Sequence, residues 1–310
     1  MRSRPGFLAR SLLFSAAGLV LLAAAEIALR LAGLGHPILY DNRIAYGYRP
    51  LPDQTRRRLF GARVHVNHLG LRGPDPSPGA LRLLFLGDSV TWGGSYVDDG
   101  DLFAAVAADT VGRRLAGRFP AVVALDAGVN GWGPQNILGL IDAHGGFESP
   151  VWVLTLLDDD LRRDKTRIAE VPYFNAPPST ALEEVLVLGA YELLVAYKRV
   201  KPDADVERLV AANLAACRAI LDAARAAGAR VLLVWHPSAP ALGGEPELYR
   251  TRVLAEASAA GVPVLELAGA YRGREGLYVD AIHLSVAGHR VAGDAIGTRL
   301  ADMLGVDGAD

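Results

Sequence analysis

The chain has one cysteine, Cys217, in 310 residues. An internal disulfide is excluded, and so is a zinc knot built on cysteines. The compartment stays open, because exported domains often do without cysteine. An excess of charge of one sign is missing as well, the formal net charge being -2. No global basic field recruits nucleic acid, so no nucleic-acid partner is expected. Internal repeats are absent too. The balance, 51% apolar and 21% charged residues, suits a folded protein with one large core or two modest ones.

What is present starts at the N-terminus. Arg2, Arg4 and Arg10 precede an uncharged apolar run from Leu12 to Ala25. A positive flank stays inside and sends the remainder outward. The run alone is shorter than the about 20 residues of a membrane span. Counting on to Leu31 reaches that length and admits Glu26 and Arg30, four apart and placed to pair or to snorkel. Residues 1–34 are therefore read as a signal anchor holding a lipid bilayer through residues 12–31. The alternative is a signal peptide cleaved near "AAAE" at 23–26, giving a secreted protein. Both put the rest of the chain outside the cytoplasm, periplasmic or extracellular.

Residues 35–80 are rich in Pro, Gly, Arg and turn signals and read as a lead-in arm with short strands. Their arginines read as a solvated face. From Leu81 to residue 305 the pattern is regular. "LRLLFLG" is a nearly continuous apolar run, as in a parallel strand covered on both faces. Strands are also expected at "AVVALDAG", "PVWVLTLL", "ARVLLVWHP" and "VPVLEL", alternating with helices. Residues 161–205 interrupt the rhythm with "RRDKTR", a Pro-rich turn and an apolar helical segment from Ala181 to Tyr197, and read as an insertion or lid. "DVERLVAANLAACRAILDAARAAG", residues 205–228, reads as an amphipathic helix with Cys217 on its inner face, as a small core residue. Residues 306–310 are a tail. Five strands alternating with helices predict a three-layer α/β/α sandwich around a mostly parallel sheet.

In such sheets ligands collect at the carboxyl ends of the strands. Ser89, in "LLFLGDSVTWG", lies just beyond the first strong strand. It acts as a nucleophile only if a base takes its proton; otherwise "GDS" is a turn or a helix cap. Asp280 and His283 in "YVDAIHLSVAGH" are three apart, which lets a carboxylate orient an imidazole. The bland reading makes both of them caps. His236, at a strand end, is a candidate wall of the site. His289 reads as packing or surface.

These blocks together resemble the SGNH/GDSL hydrolase superfamily, in particular its membrane-anchored bacterial esterase-like branch. The first is Gly87, Asp88, Ser89, Thr91 and Gly93; the second is "DAGVNGWGPQN"; the last is Asp280 with His283. The upstream "VNHLGLRG" is similar to a segment that precedes the catalytic domain in that branch. The resemblance implies a flavodoxin-like fold and no cofactor. Ser89 would be the nucleophile, His283 the base and Asp280 its orienting acid. The N–H groups of Ser89 and Gly128 would form the oxyanion hole. The third block departs: where the superfamily carries an Asn donor, "LTLLDDDL" has Asp158. An ionised carboxylate only accepts hydrogen bonds and would repel an oxyanion. A protonated carboxyl crowded by Asp159 and Asp160, an amide from Asn130 or Asn136, or two backbone donors alone would answer this. Asp159 and Asp160 otherwise read as caps, and three adjacent acids do not easily converge on a metal.

The implied activity is removal of short acyl groups, such as acetyl, from an envelope or extracellular glycan, or from a small ester. Trp92 and Trp132 are candidate stacking faces for a sugar, or core residues. An O-acyltransferase using the same serine and an inactive glycan-binding or assembly protein are the alternatives.

Overall fold

The computed structural model describes residues 7–165, 174–199 and 205–305. The expected tail at 306–310 and two parts of the expected insertion, 166–173 and 200–204, lie outside the described residues. The first helix, α1 (Phe7–Leu31), runs unbroken through Glu26 and Arg30, which pair at 2.6 Å. Its stretch Arg10–Leu31 is long and apolar enough to cross a membrane, and none of it is buried against protein.

The arm that follows forms two antiparallel pairs. They are β1 (Tyr40–Ile44) with β2 (Gly47–Pro50), and β3 (Gln54–Arg57) with β4 (Arg63–Val66). Val66 bridges to Arg72, and Arg72 to Asp126, so the arm is stitched onto the edge of the main sheet. Tyr48, Val64, Val66 and Leu71 are buried in the same cluster as Leu84, Trp152 and Trp235.

The regular part contains β5 (Leu81–Leu86), the one-turn α2 (Ser89–Trp92), α3 (Phe103–Arg114), β6 (Val122–Asp126) and α4 (Pro134–His144). Then come β7 (Val151–Leu156), α5 (Ala181–Arg199), α6 (Val206–Ala226) and β8 (Arg230–Trp235). The chain continues with α7 (Ala239–Leu242), α8 (Arg250–Ala259), β9 (Val264–Glu266), α9 (Ala268–Tyr271) and α10 (Val286–Gly305). The five long-range strands lie in the order β6-β5-β7-β8-β9, every pair parallel. The expected three-layer sandwich is thus present.

Strand β5 explains the layering. Its side chains alternate across the pleat, Leu83 and Phe85 entering one cluster and Leu84 and Leu86 the other. The first cluster is closed by α3 and α10, the second by α4, α6, α8 and the arm. Cys217 is a buried free thiol in the second, as expected. Helices α3 and α10 approach closely because α10 has Gly293 and Gly297 on its inner face. A Cβ at Gly297 would come within 2.7 Å of the Ala107 carbonyl oxygen.

The arm's arginines do not all face solvent. Arg72 is fully buried and spends its guanidinium on Asp99 (2.9 Å) and on the carbonyls of Trp92, Gly94 and Val97 at 2.6–2.8 Å. Arg58 is buried against Glu184. A guanidinium tolerates burial when acceptors surround its planar fork, and the fold provides them here.

Candidate active site

Strand β5 ends at Leu86 and delivers Ser89 to the first position of α2. Asp88 caps that turn, its Oδ1 accepting the Val90 N–H at 2.8 Å. Ser89 Oγ stands 2.8 Å from His283 Nε2, and His283 Nδ1 stands 2.7 Å from Asp280 Oδ2. A carboxylate oxygen can only accept, so Nδ1 carries the proton and Nε2 accepts from the Ser89 hydroxyl. Burial would raise the Asp280 carboxyl, but the N–H groups of His283 and Ile282 and the imidazole outweigh it, holding the pKa below the usual value. The spacing of three works because Asp280 Oδ1 closes a tight turn onto those two N–H groups, leaving Oδ2 for the ring.

His236 is not a wall of the cleft. It is fully buried beneath this loop, its Nε2–H donating to the Ile282 carbonyl at 2.9 Å. Burial lowers its pKa to about 4, so the ring is neutral and serves as a prop for the backbone that carries His283. His289 is likewise internal. It stacks on Phe103, and its Nδ1 accepts the Phe103 N–H at the start of α3.

Trp92 and Trp132 are each 1% exposed, and neither has a face to offer a sugar. Trp92 lies under the Arg72 guanidinium, 5.1 Å from ring to carbon, and Trp132 packs edge-on against Tyr46 and Tyr48. Their place is the core.

The oxyanion donors need correction. The Gly128 N–H is already taken by Asp126 Oδ1 at 2.8 Å. A Cβ at Gly128 would lie 2.4 Å from the Trp92 nitrogen, so this glycine is there for close packing. Three residues on, Gly131 adopts the left-handed conformation, φ 74°. Neither its N–H nor that of Ser89 meets an acceptor among the described residues. The loop bearing Gly131 runs beside the nucleophile turn, Val129 N–H donating to the Gly87 carbonyl at 3.3 Å. Asn136 is buried and committed to the Gly133 N–H and the Tyr46 carbonyl. The Asn130 carbonyl accepts from the Tyr48 hydroxyl at 2.7 Å.

The three acids of the third block diverge. Asp158 Oδ1 accepts the Tyr249 N–H at 2.7 Å, at the entry to α8. Asp159 pairs with Arg162 at the surface. Asp160 is buried, caps the Leu157 N–H and meets Arg163 Nη1 at 2.5 Å. Arg163 is the residue that sequence reasoning missed. The same Nη1 reaches Asp88 Oδ2 at 2.6 Å and the Trp132 carbonyl at 2.8 Å. Asp88 Oδ2 also lies 3.3 Å from Ser89 Oγ, whose one proton goes to the shorter contact with His283 Nε2. Burial opposes ionisation of Asp88, yet the charge and hydrogen bond of Arg163 prevail and lower its pKa. For Asp160, burial and the Asp88 charge win and drive its pKa well up. One guanidinium thus ties the nucleophile turn, the second block and the third block together beneath Ser89. "RRDKTR" read as the start of an insertion because the partners of Arg163 lie 31 and 75 residues away.

The GDSL-like Lipase/Acylhydrolase family matches residues 85–291, more than half of the chain. Similar solved structures include TesA, 18% identical, covering 71% of this chain and 97% of that one with a TM-score of 0.46. The acetyl xylan esterase AlAXEase is 14% identical, covering 71% and 99%, with a TM-score of 0.46. A putative lipolytic protein of the G-D-S-L family from Desulfitobacterium hafniense DCB-2 is 15% identical, covering 70% and 98%, with a TM-score of 0.45. No curated protein matches the chain. The family match begins at Phe85 within β5 and ends at Val291 within α10, and so spans Ser89, Asp280 and His283. By that match the chain belongs to the GDSL-like lipase and acylhydrolase family, within the SGNH hydrolase superfamily.

Proposed function

We propose that this chain is a membrane-anchored serine esterase that removes short acyl groups outside the cytoplasm. The observation that carries this reading is the unbroken relay from Ser89 Oγ to His283 Nε2 (2.8 Å) and from Nδ1 to Asp280 Oδ2 (2.7 Å). Ser89 attacks the ester carbonyl as His283 takes its proton, and Asp280 stabilises the imidazolium formed. The tetrahedral oxyanion is held by the N–H groups of Ser89 and Gly131. Collapse expels the alcohol, which leaves with the proton from Nε2, and an acyl-serine remains. Water then gives a proton to His283 and attacks the acyl carbon, and collapse returns that proton from Nε2 to Ser89 Oγ as the carboxylic acid leaves. Two backbone donors suffice for this cycle. Asp158 is directed to α8, and Arg163 fixes the turn that aims the Ser89 N–H.

His283 and Asp280 side chains are 30% and 54% exposed, so water is at hand as the acyl acceptor. That favours hydrolysis over transfer to a second alcohol. The arginine-flanked Arg10–Leu31 helix supports an anchor with the catalytic part outside, and the acylated glycans of the envelope are the substrate class proposed for it there.

The test is turnover of a small acetyl ester by the full chain in detergent, together with labelling by a serine-directed phosphonate. One adduct on Ser89, with a phosphonyl oxygen within about 3 Å of the Ser89 and Gly131 nitrogens, is the expected result. No turnover and no adduct from a folded protein would remove the esterase reading. Release of acetate from acetylated glycan, compared with a free small ester, then decides the substrate.

A further inference from the structure

Helix α5 has a surface that the esterase reading leaves unused. From Val185 to Tyr197 it reads VLVLGAYELLVAY, with Glu192 the one charged residue. Val185, Leu186, Val187, Leu188 and Leu193 are exposed, Leu186 at 72% and Leu193 at 75%. Successive residues of a helix point about 100° apart, so four partly to largely exposed residues in a row from Val185 to Leu188 put apolar surface on more than one side of it, Leu186 most openly. Such a helix belongs in an apolar surrounding, and an exposed patch of this kind marks a contact surface.

The neighbours of α5 identify that surrounding. Glu26 of α1 accepts the N–H groups of Ala181 and Leu182 at 2.8 and 3.1 Å, capping α5 from the apolar helix itself. Glu184 accepts the Gly35 N–H and pairs with buried Arg58, fastening the first turn of α5 to the chain just after α1. So α5 begins where the Arg10–Leu31 span ends. Its apolar stretch is about 20 Å long, too short to cross a bilayer core of about 30 Å. The far end must also return. Residues 200–205 alone separate Arg199 from α6, a reach of at most about 25 Å, and α6 is packed into the core from Val210. The sequence closes α5 with Lys198 and Arg199, which suit anionic headgroups.

We propose that α5 is an interfacial helix lying in the outer leaflet beside α1, its occupant being the lipid bilayer. This rests on the reading of α1 as a membrane anchor. Two attachments, one spanning and one lying flat, would fix the orientation of the catalytic part and hold its cleft at a set height above the membrane.

The test uses the full chain in vesicles of phosphatidylethanolamine and phosphatidylglycerol, with buried Cys217 left in place. Single cysteines replace Leu21 on α1, Leu186 or Leu193 on α5, and Asp222 on α6, each carrying an environment-sensitive fluorophore. Unchanged thermal transitions establish that each labelled protein is folded. Brominated phospholipid is expected to quench the labels at Leu186 and Leu193 as it quenches that at Leu21, and to spare that at Asp222. Quenching at Leu21 with none at Leu186 and Leu193 would overturn the proposal and leave the anchor standing. No quenching even at Leu21 would overturn both. Labels on α5 shielded from lipid and from a water-soluble quencher alike would place a second copy on the helix, and that also overturns it.

Discussion

At the scale of single residues, each contact of the relay has a substitution that isolates it. Ser89→Ala removes the nucleophile and is expected to lower kcat on a small acetyl ester on the order of 10⁴-fold or more, with the melting temperature unchanged. Asp280→Asn presents an amide donor to His283, favours the tautomer with its proton on Nε2, and costs on the order of 10⁴-fold. Initial rates on purified variants measure both. Asp158→Asn behaves differently. Its carboxylate caps the entry to α8 at Tyr249, and Asn keeps the accepting oxygen, so rate and stability should stay within about twofold and ~0.5 kcal/mol. A tenfold gain in rate would return Asp158 to the oxyanion hole. The relay was legible because the Asp-x-x-His pair makes its own local turn. The second donor proposed for the hole, Gly131, is one glycine beyond the Gly128 that the sequence offered. Asp126 sits two residues before Gly128, the spacing at which a carboxylate bonds backbone N–H, and that signal already marked the Gly128 N–H as spent. Whether Trp92 and Trp132 face in or out depends on the arm packed over them, which spacing does not encode.

At the scale of elements, apolar runs and helical stripes placed the five strands and the main helices, because both are periodic along the chain. Contacts between buried charges were not legible, since their partners come from remote segments. Arg163 shows the consequence. Arg163→Ala would leave Asp88 and Asp160 buried beside each other without their shared cation, a cost of about 3–5 kcal/mol. Urea denaturation measures that loss, and kcat of the folded fraction should fall as the Ser89 turn loosens. The end of β6 supplies a pH signature. Burial raises Asp126 to about 8, while its chain neighbours hold it against Gly128. A raised carboxyl binds its proton in the folded state and releases it in the unfolded one between pH 3.8 and about 8. Its contribution is therefore complete below pH 3.8 and is lost as pH rises through 8. Asp126→Asn has no proton to lose. Its stability relative to the parent chain is expected to climb with pH across that window, by up to about 1.4 kcal/mol per unit. Parallel stability–pH curves for the two proteins would refute the assignment.

At the scale of the whole molecule, the sandwich is joined to the apolar helix α1 and the start of α5 by a few buried contacts around the arm. Glu184, 1% exposed, is the centre of that joint, taking the Gly35 N–H and the Arg58 guanidinium together. Arg58 in turn donates to the Gly33 carbonyl at 2.7 Å, so one ion pair closes the end of α1, the arm and the start of α5 into a single node. None of these groups touches Ser89, Asp280 or His283. Glu184→Ala would strand the Arg58 charge in a buried place, at a local cost of about 3–5 kcal/mol. The node should open without the sheet, because the main core clusters are built from other side chains. Hydrogen exchange on the full chain is then expected to speed up at the amides of Gly35, Ala181 and Leu182 and leave those of β5 and β7 protected. Turnover of a soluble ester should be unchanged. Faster exchange in β5 and β7 as well would make the node part of the global fold, and the sandwich would then depend on α1 and the start of α5 for its stability.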